Sequence, residues 1–137
     1  MNKIKIWIVI LPIISGWAVL SKDPDCKKIK NGEFYFYPPD NTGPFKFVRK
    51  DSIQYEIDLQ TKDTSIWKLQ WLSNCLIKSN FISITKELPK EMIAFFNDHT
   101  IYLEIMEVTE KYYRFKIIPD SLTSKLIYTD TAWFNPK

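Results

Sequence analysis

From about residue 32 onward the chain alternates between apolar and polar positions, the two-residue period of a β-strand. The clearest stretch is 52–59. Ile53, Tyr55, Ile57 and Leu59 fall on one side, and Ser52, Gln54, Glu56 and Asp58 on the other. This predicts a strand with its apolar side buried and its polar side wet. Just before it, Phe45, Phe47 and Arg49 share one side, and Lys50-Asp51 makes a tight link, so 45–59 reads as a hairpin. Segment 65–72 places Trp67, Leu69 and Trp71 on one face after a polar turn at 60–64. Segment 75–87 is long, and its alternation slips near Phe81-Ile82, which predicts a bulge. Ile101, Leu103 and Ile105 alternate with Tyr102, Glu104 and Met106; Glu110-Lys111 then links them to a strand at 112–118. A last strand is expected from about Leu122 to Thr129, resuming at Ala132–Phe134.

Only residues 89–98 carry a helical signal. Pro89 can open a helix at its first position, and Met92, Ile93 and Phe96 make a short stripe, so one short helix or a folded loop is expected there. The predicted fold is all-β: about eight antiparallel strands in a closed meander barrel, with a barrel-like β-sandwich as the alternative. Closure also removes the exposed edges that aromatic-rich strands would otherwise leave open to aggregation. Residues 21–31 read as a polar lead-in ending in an Asn31-Gly32 turn, and 32–137 as a single β-domain.

Composition narrows the function classes. The 137 residues are 45% hydrophobic and 15% aromatic, with only 3 Gly. That excludes a disordered or collagen-like chain and leaves no Gly-rich phosphate loop. Residues 1–5 are basic, and 6–20 (IWIVILPIISGWAVL) carry no charge. An uncharged run of 15 suits the apolar core of a secretory signal and is short of the ~20 residues a spanning helix needs. Gly16-Trp17-Ala18 offers a cleavage point, and an uncleaved membrane anchor through residues 6–20 is the alternative. Cys26 follows Asp23-Pro24-Asp25, which is no lipid-attachment motif. Net charge is +3, and removing Lys3 and Lys5 with the leader leaves 17 cations against 16 anions. So balanced a chain has no basic footprint for nucleic acid.

Cys26 and Cys75 are the only cysteines. An even count in an exported domain reads as one disulfide, against the alternative of two separate buried thiols. Two Cys and a distant His99 lack zinc spacing, and no metal or cofactor is expected. His99 is the sole histidine, and no nucleophile motif accompanies it, so it reads as a surface turn residue. Glu104, Glu107 and Glu110 invite a carboxylate-pair reading. By strand parity only Glu104 and Glu110 share a face, and six residues of strand separate them by about 20 Å, too far for catalysis.

Arg49 is the more informative residue. It shares the side of Phe45 and Phe47. If that side is interior, the guanidinium needs an acid partner, which a ligand carboxylate could supply; otherwise it reaches water from the strand end. Trp67 and Trp71, with Tyr55 from the apolar side of its strand, are the further candidates for lining a ligand pocket, against simple core packing. Residues 33–37 (EFYFY) put aromatics on both faces of one strand, Phe34 and Phe36 against Tyr35 and Tyr37, so either both faces are covered or one is a contact patch.

Three short motifs carry a family likeness: Cys26, Gly32 and Phe34 as C-x5-G-x-F; Arg49, Asp51, Ser52, Gln54 and Glu56 as R-x-D-S-x-Q-x-E; and Trp67, Trp71 and Cys75 as W-x3-W-x3-C. Over roughly residues 26–80 the chain resembles small exported proteins of Bacteroidota-type bacteria with a lipocalin-like fold. The resemblance implies an extracytoplasmic β-domain with paired cysteines, and it carries no established activity. Similar short chains sometimes bear a topoisomerase name, but a domain of this length is far too short for that chemistry. The expectation is therefore an exported, non-catalytic barrel that binds a small apolar or amphipathic ligand inside it. The competing expectation is a structural or protein-interaction component of the bacterial cell envelope, with a filled barrel.

Overall fold

A computed structural model describes residues 23–120 and 127–137. The leader or anchor expected at 1–20 and the strand expected to begin at 122 lie outside the described residues. Eight strands follow one another around a closed barrel: β1 (Gly32–Phe36), β2 (Phe45–Lys50), β3 (Ile53–Asp58), β4 (Thr64–Trp71), β5 (Leu76–Ile84), β6 (Ile101–Val108), β7 (Tyr112–Pro119) and β8 (Tyr128–Trp133). Every neighbouring pair is antiparallel, and β8 closes on β1 through Tyr35↔Trp133 and Phe36↔Ala132. The architecture is the meander barrel and not the sandwich. β8 runs unbroken from Tyr128 to Trp133 against β7, where the sequence suggested two pieces.

The turns at 51–52, 72–75 and 109–111 lie at one end of the barrel, the lower end; the longer connections at 37–44, 59–63 and 85–100 lie at the upper. The lower end is closed by a segment the sequence marked only as polar. Residues Cys26–Ile29 form a short 3-10 helix whose two apolar side chains, Cys26 and Ile29, are completely buried. Cys26 is disulfide-bonded to Cys75 at the β4–β5 turn, with Cα atoms 5.5 Å apart. The bond ties this plug to the barrel wall.

The upper end carries helix α1 (Lys90–Asp98), where Pro89 accepts the first helical bonds from Met92 and Ile93. Phe96 reaches down onto Trp67 and Phe81, with ring centroids 5.5 and 5.3 Å away. Met92, expected in the same stripe, points to solvent instead. The bulge expected near Phe81-Ile82 is present: Ile66 pairs with Ser83 and Trp67 with Phe81, leaving Ile82 as the extra residue. A second bulge leaves Met106 unpaired between Ile105↔Phe115 and Glu107↔Arg114.

One strand is inside out relative to its pattern. Gln54 is 2% exposed, whereas Tyr55, taken from the alternation as an inner residue, is 38% exposed on the outside. The cause is pairing. A two-residue turn puts Arg49 opposite Gln54 and Phe47 opposite Glu56, and opposite residues of a ladder point to the same face. β4 agrees from the other side, with Trp67 opposite Gln54. Phe47, Arg49, Trp67 and Leu69 are buried, so Gln54 is carried inward with them.

Candidate functional site

The inverted strand builds a polar chain through an aromatic core. Arg49 is 2% exposed. Its Nε and Nη2 donate to Gln54 Oε1 at 2.9 and 2.6 Å, its Nη1 to the Ile29 carbonyl at 2.7 Å, and its Nη2 also to the Tyr113 hydroxyl at 3.3 Å. Its guanidinium lies 5.2 Å from the Phe34 ring centre and 5.8 Å from that of Tyr113. Arginine can only donate, so it turns the oxygen of Gln54 toward itself and the amide nitrogen away. That nitrogen donates to Glu56 Oε1 at 2.8 Å. Ser65 Oγ stands 3.4 Å from Glu56 Oε2, and the Trp67 indole N–H donates to Ser65 Oγ at 2.9 Å. The chain thus begins at a carbonyl of the lower plug and ends at a carboxyl group.

Burial pushes the Glu56 carboxyl above the ordinary carboxylate range, opposed by hydrogen bonds from Gln54 and Ser65 and by the charge of Arg49. The Glu56 side chain keeps some accessible surface and borders a cavity. This cavity, of about 140 Å³, lies in the upper half of the barrel. Its walls come from β1 and β2 (Phe36, Phe45, Phe47), β3 (Gln54, Glu56), β6 and β7 (Leu103, Phe115, Ile117) and Tyr128 of β8. It adjoins a groove of about 370 Å³ that shares Phe36, Phe45 and Tyr128 and runs under Pro38, Pro39, Asp40 and Thr42. Gly43 lies in the same connection, next to Thr42 of the groove and two residues before Phe45. Its φ is +83°, and a Cβ there would sit 2.7 Å from the Phe45 ring, so any larger residue strains the backbone and displaces that ring. Burial and the charges of Asp130, Glu56 and Asp40 push the Tyr128 phenol up to about 12, which keeps it a hydroxyl donor at the mouth.

The residues singled out from sequence do not converge on this cavity. Arg49 is interior, the first of its two expected alternatives, but its hydrogen bonds go to Gln54, Ile29 and Tyr113 and it touches Glu56 only through Gln54. Trp67 is interior and packs under α1. Trp71 lies at the lower end, with the Lys30 ammonium 5.2 Å from its ring centre and its buried indole N–H lacking a partner among the described residues. Tyr55 is on the outer wall, so its assignment to an inner pocket is corrected. None of the four borders the cavity. The residues missed were Gln54 and Glu56, read as solvent-facing because polar residues in an alternating strand usually are. The signal was available in the hairpin: across any two-residue turn, odd-numbered residues of β2 pair with even-numbered residues of β3.

The other charged groups are surface features. His99 caps α1, its Nδ1 2.9 Å from Asp120 Oδ1 and its ring against Phe95. Glu110 pairs with Lys28 at 2.9 Å. Glu104 and Glu107 were expected on opposite faces, but the bulge at Met106 resets the parity: Glu107 lies opposite Arg114, 4.0 Å from its guanidinium, on the outside. Among the described residues no group of three His, Cys, Asp or Glu could hold a metal ion, and no helix is long and apolar enough to cross a membrane. Comparison with protein-family models, curated proteins and solved structures finds no match to this chain.

Proposed function

We propose that this chain is a non-catalytic β-barrel domain, exported to an oxidising compartment, that binds a small apolar or amphipathic molecule in the upper cavity. The carrying observation is a cavity of about 140 Å³ in an otherwise packed barrel, walled by aromatic and aliphatic side chains and bordered by one carboxyl group. Apolar walls with a few placed polar groups are the usual make-up of a small-molecule site. The volume sets the size of the occupant. A cavity of roughly 150 Å³ admits a benzene-sized molecule, and ordinary drug-sized ligands use about 300 Å³ or more. A single ring or short branched chain fits inside, and the rest of a longer molecule would lie in the adjoining groove. The Cys26–Cys75 bond supports a periplasmic or secreted location, since such bonds persist where thiols are not kept reduced.

Native mass spectrometry of the protein purified without detergent from the cells that make it tests this reading. Extra mass that leaves on gentle activation is expected. The same spectrum shows whether residues 1–20 have been removed. A bare mass, with no small aromatic compound shifting the thermal midpoint, would count against ligand binding.

One observation favours the second reading, a structural or interaction component of the cell envelope. Tyr112, Trp133 and Tyr35 stand side by side on the outer wall of β7, β8 and β1, and Lys137 lies 3.9 Å from the centre of the Trp133 ring. Aromatic rows of this kind suit a contact surface.

A further inference from the structure

We propose that the upper cavity selects a small organic cation, an amine on a single ring or short alkyl group, held by Glu56 and the surrounding aromatic rings. This rests on the ligand-binding reading above and names the ligand class.

The direction of the hydrogen bonds carries the inference. Arg49 forces Gln54 to present its amide N–H to Glu56, so the polar chain delivers donors inward and ends on an acceptor. A carboxylate offers about four lone-pair positions. Glu56 uses one on Gln54 at 2.8 Å and a second, longer one on Ser65 at 3.4 Å, which leaves capacity facing the cavity. Of the nine described residues walling the cavity none is Lys, Arg or His, while Phe36, Phe45, Phe47, Phe115 and Tyr128 supply five aromatic rings. Aromatic π-systems attract a cation when water is excluded, and rings grouped around a carboxylate form the kind of cage that recognises alkylammonium groups.

The same arrangement excludes an anion. Arg49 was the residue expected to meet a ligand carboxylate, but it is spent on three protein acceptors and does not border the cavity. An anionic head group would instead face Glu56. The carboxylate of a fatty acid therefore does not suit the charge of this cavity.

Calorimetric titration of the disulfide-bonded protein with three probes of matched shape tests this: benzylamine, benzyl alcohol and benzoate. Benzylamine is expected to bind at least ten-fold more tightly than benzyl alcohol, and benzoate not to bind. Glu56→Gln should bring benzylamine down to the level of benzyl alcohol. Leu103→Phe, which fills the cavity and leaves Glu56 in the sequence, should abolish both. Benzyl alcohol or benzoate matching benzylamine on the parent protein, with Leu103→Phe still blocking them, overturns the cation assignment and leaves ligand binding standing. If none of the three binds and native mass spectrometry finds no retained molecule, the ligand-binding reading falls as well. The comparison of probes on the parent protein needs no variant, so a poorly folded Glu56→Gln would not shield the proposal.

Discussion

Arg49 and Glu56 are charges in a core that offers them little water, and each makes its own prediction. Removing Arg49 strands three acceptors: the Gln54 oxygen, the Ile29 carbonyl and the Tyr113 hydroxyl. Leaving a buried acceptor without its donor costs about 1–3 kcal/mol for each group. Over the three acceptors that is a large part of the 5–15 kcal/mol a domain usually has. Arg49→Met should therefore lower the urea midpoint drastically, and Arg49→Lys should rescue little, since one ammonium cannot reproduce the planar fork. Glu56 acts in the opposite sense. Its carboxyl is raised in the folded protein above the ordinary value of 4.5. The folded state then holds more protons than the unfolded chain between 4.5 and the higher folded value, so stability falls as pH rises through that window and is level below it. Glu56→Gln should remove this slope and leave the protein more stable than its parent at neutral pH. Denaturation of both proteins at pH 4 and pH 7.5 checks it: because Asp40 and Asp58, whose carboxyls are lowered, act in the opposite sense, the comparison is between the two proteins, and an identical change in stability in the parent and in Glu56→Gln would contradict the burial argument.

At the level of elements, strand facing was legible wherever neighbours agreed and illegible where they did not. β4 reads correctly because Trp67, Leu69 and Trp71 are large, apolar and spaced by two. β3 misleads because its better apolar set, Ile53, Tyr55 and Ile57, is the outer one, while Gln54 and Glu56 serve a charge on the neighbouring strand. A single strand's pattern reports burial only when the buried face needs nothing polar. The α1 segment was legible as a helix but not as a lid, since its role rests on Phe96 meeting Trp67 and Phe81 across more than a dozen residues of chain. Phe96 is only partly buried, so Phe96→Ala should cost roughly 2 kcal/mol, below the full range for a core Phe. Hydrogen exchange locates the effect: faster exchange is expected in 90–98, with the β-ladders unchanged. Equal acceleration throughout the barrel would show that α1 is no separate unit.

For the whole molecule, the Cys26–Cys75 bond matters through what it tethers. It closes 49 residues of chain, and in the chain-entropy account a loop of that length is worth about 4 kcal/mol. The bond also pins the 3-10 plug whose Ile29 carbonyl accepts from Arg49. Cys26→Ser with Cys75→Ser should lower stability by about that amount and loosen the lower end first. Loss of protection at the 25–31 amides before the upper strands, followed by hydrogen exchange, is the expected result. The cavity, in contrast, costs stability, since unfilled volume forfeits packing. Leu103→Phe should leave the thermal midpoint unchanged or raise it. A marked fall would mean that the space is too narrow for a ring, and with it for the proposed occupant.

Alone, the sequence determined what is local or countable: a strand-rich chain, a number of strands near eight, one short helix or folded loop after Pro89, a bulge near Phe81-Ile82, an even count of cysteines, and Arg49 on the same side as Phe45 and Phe47. These follow from side-chain periodicity, backbone propensity and residue inventory, each of which acts over a few residues. The tertiary structure decided the rest. Closure between β1 and β8 joins segments about a hundred residues apart, so pattern could not choose barrel over sandwich. Cross-strand register turned the polar side of β3 inward, because a ladder makes opposite residues share a face whatever their polarity. The cavity depends on both: it is the volume left between six strands after every side chain has taken its place, and Glu56 stands at its wall because Arg49 needed Gln54.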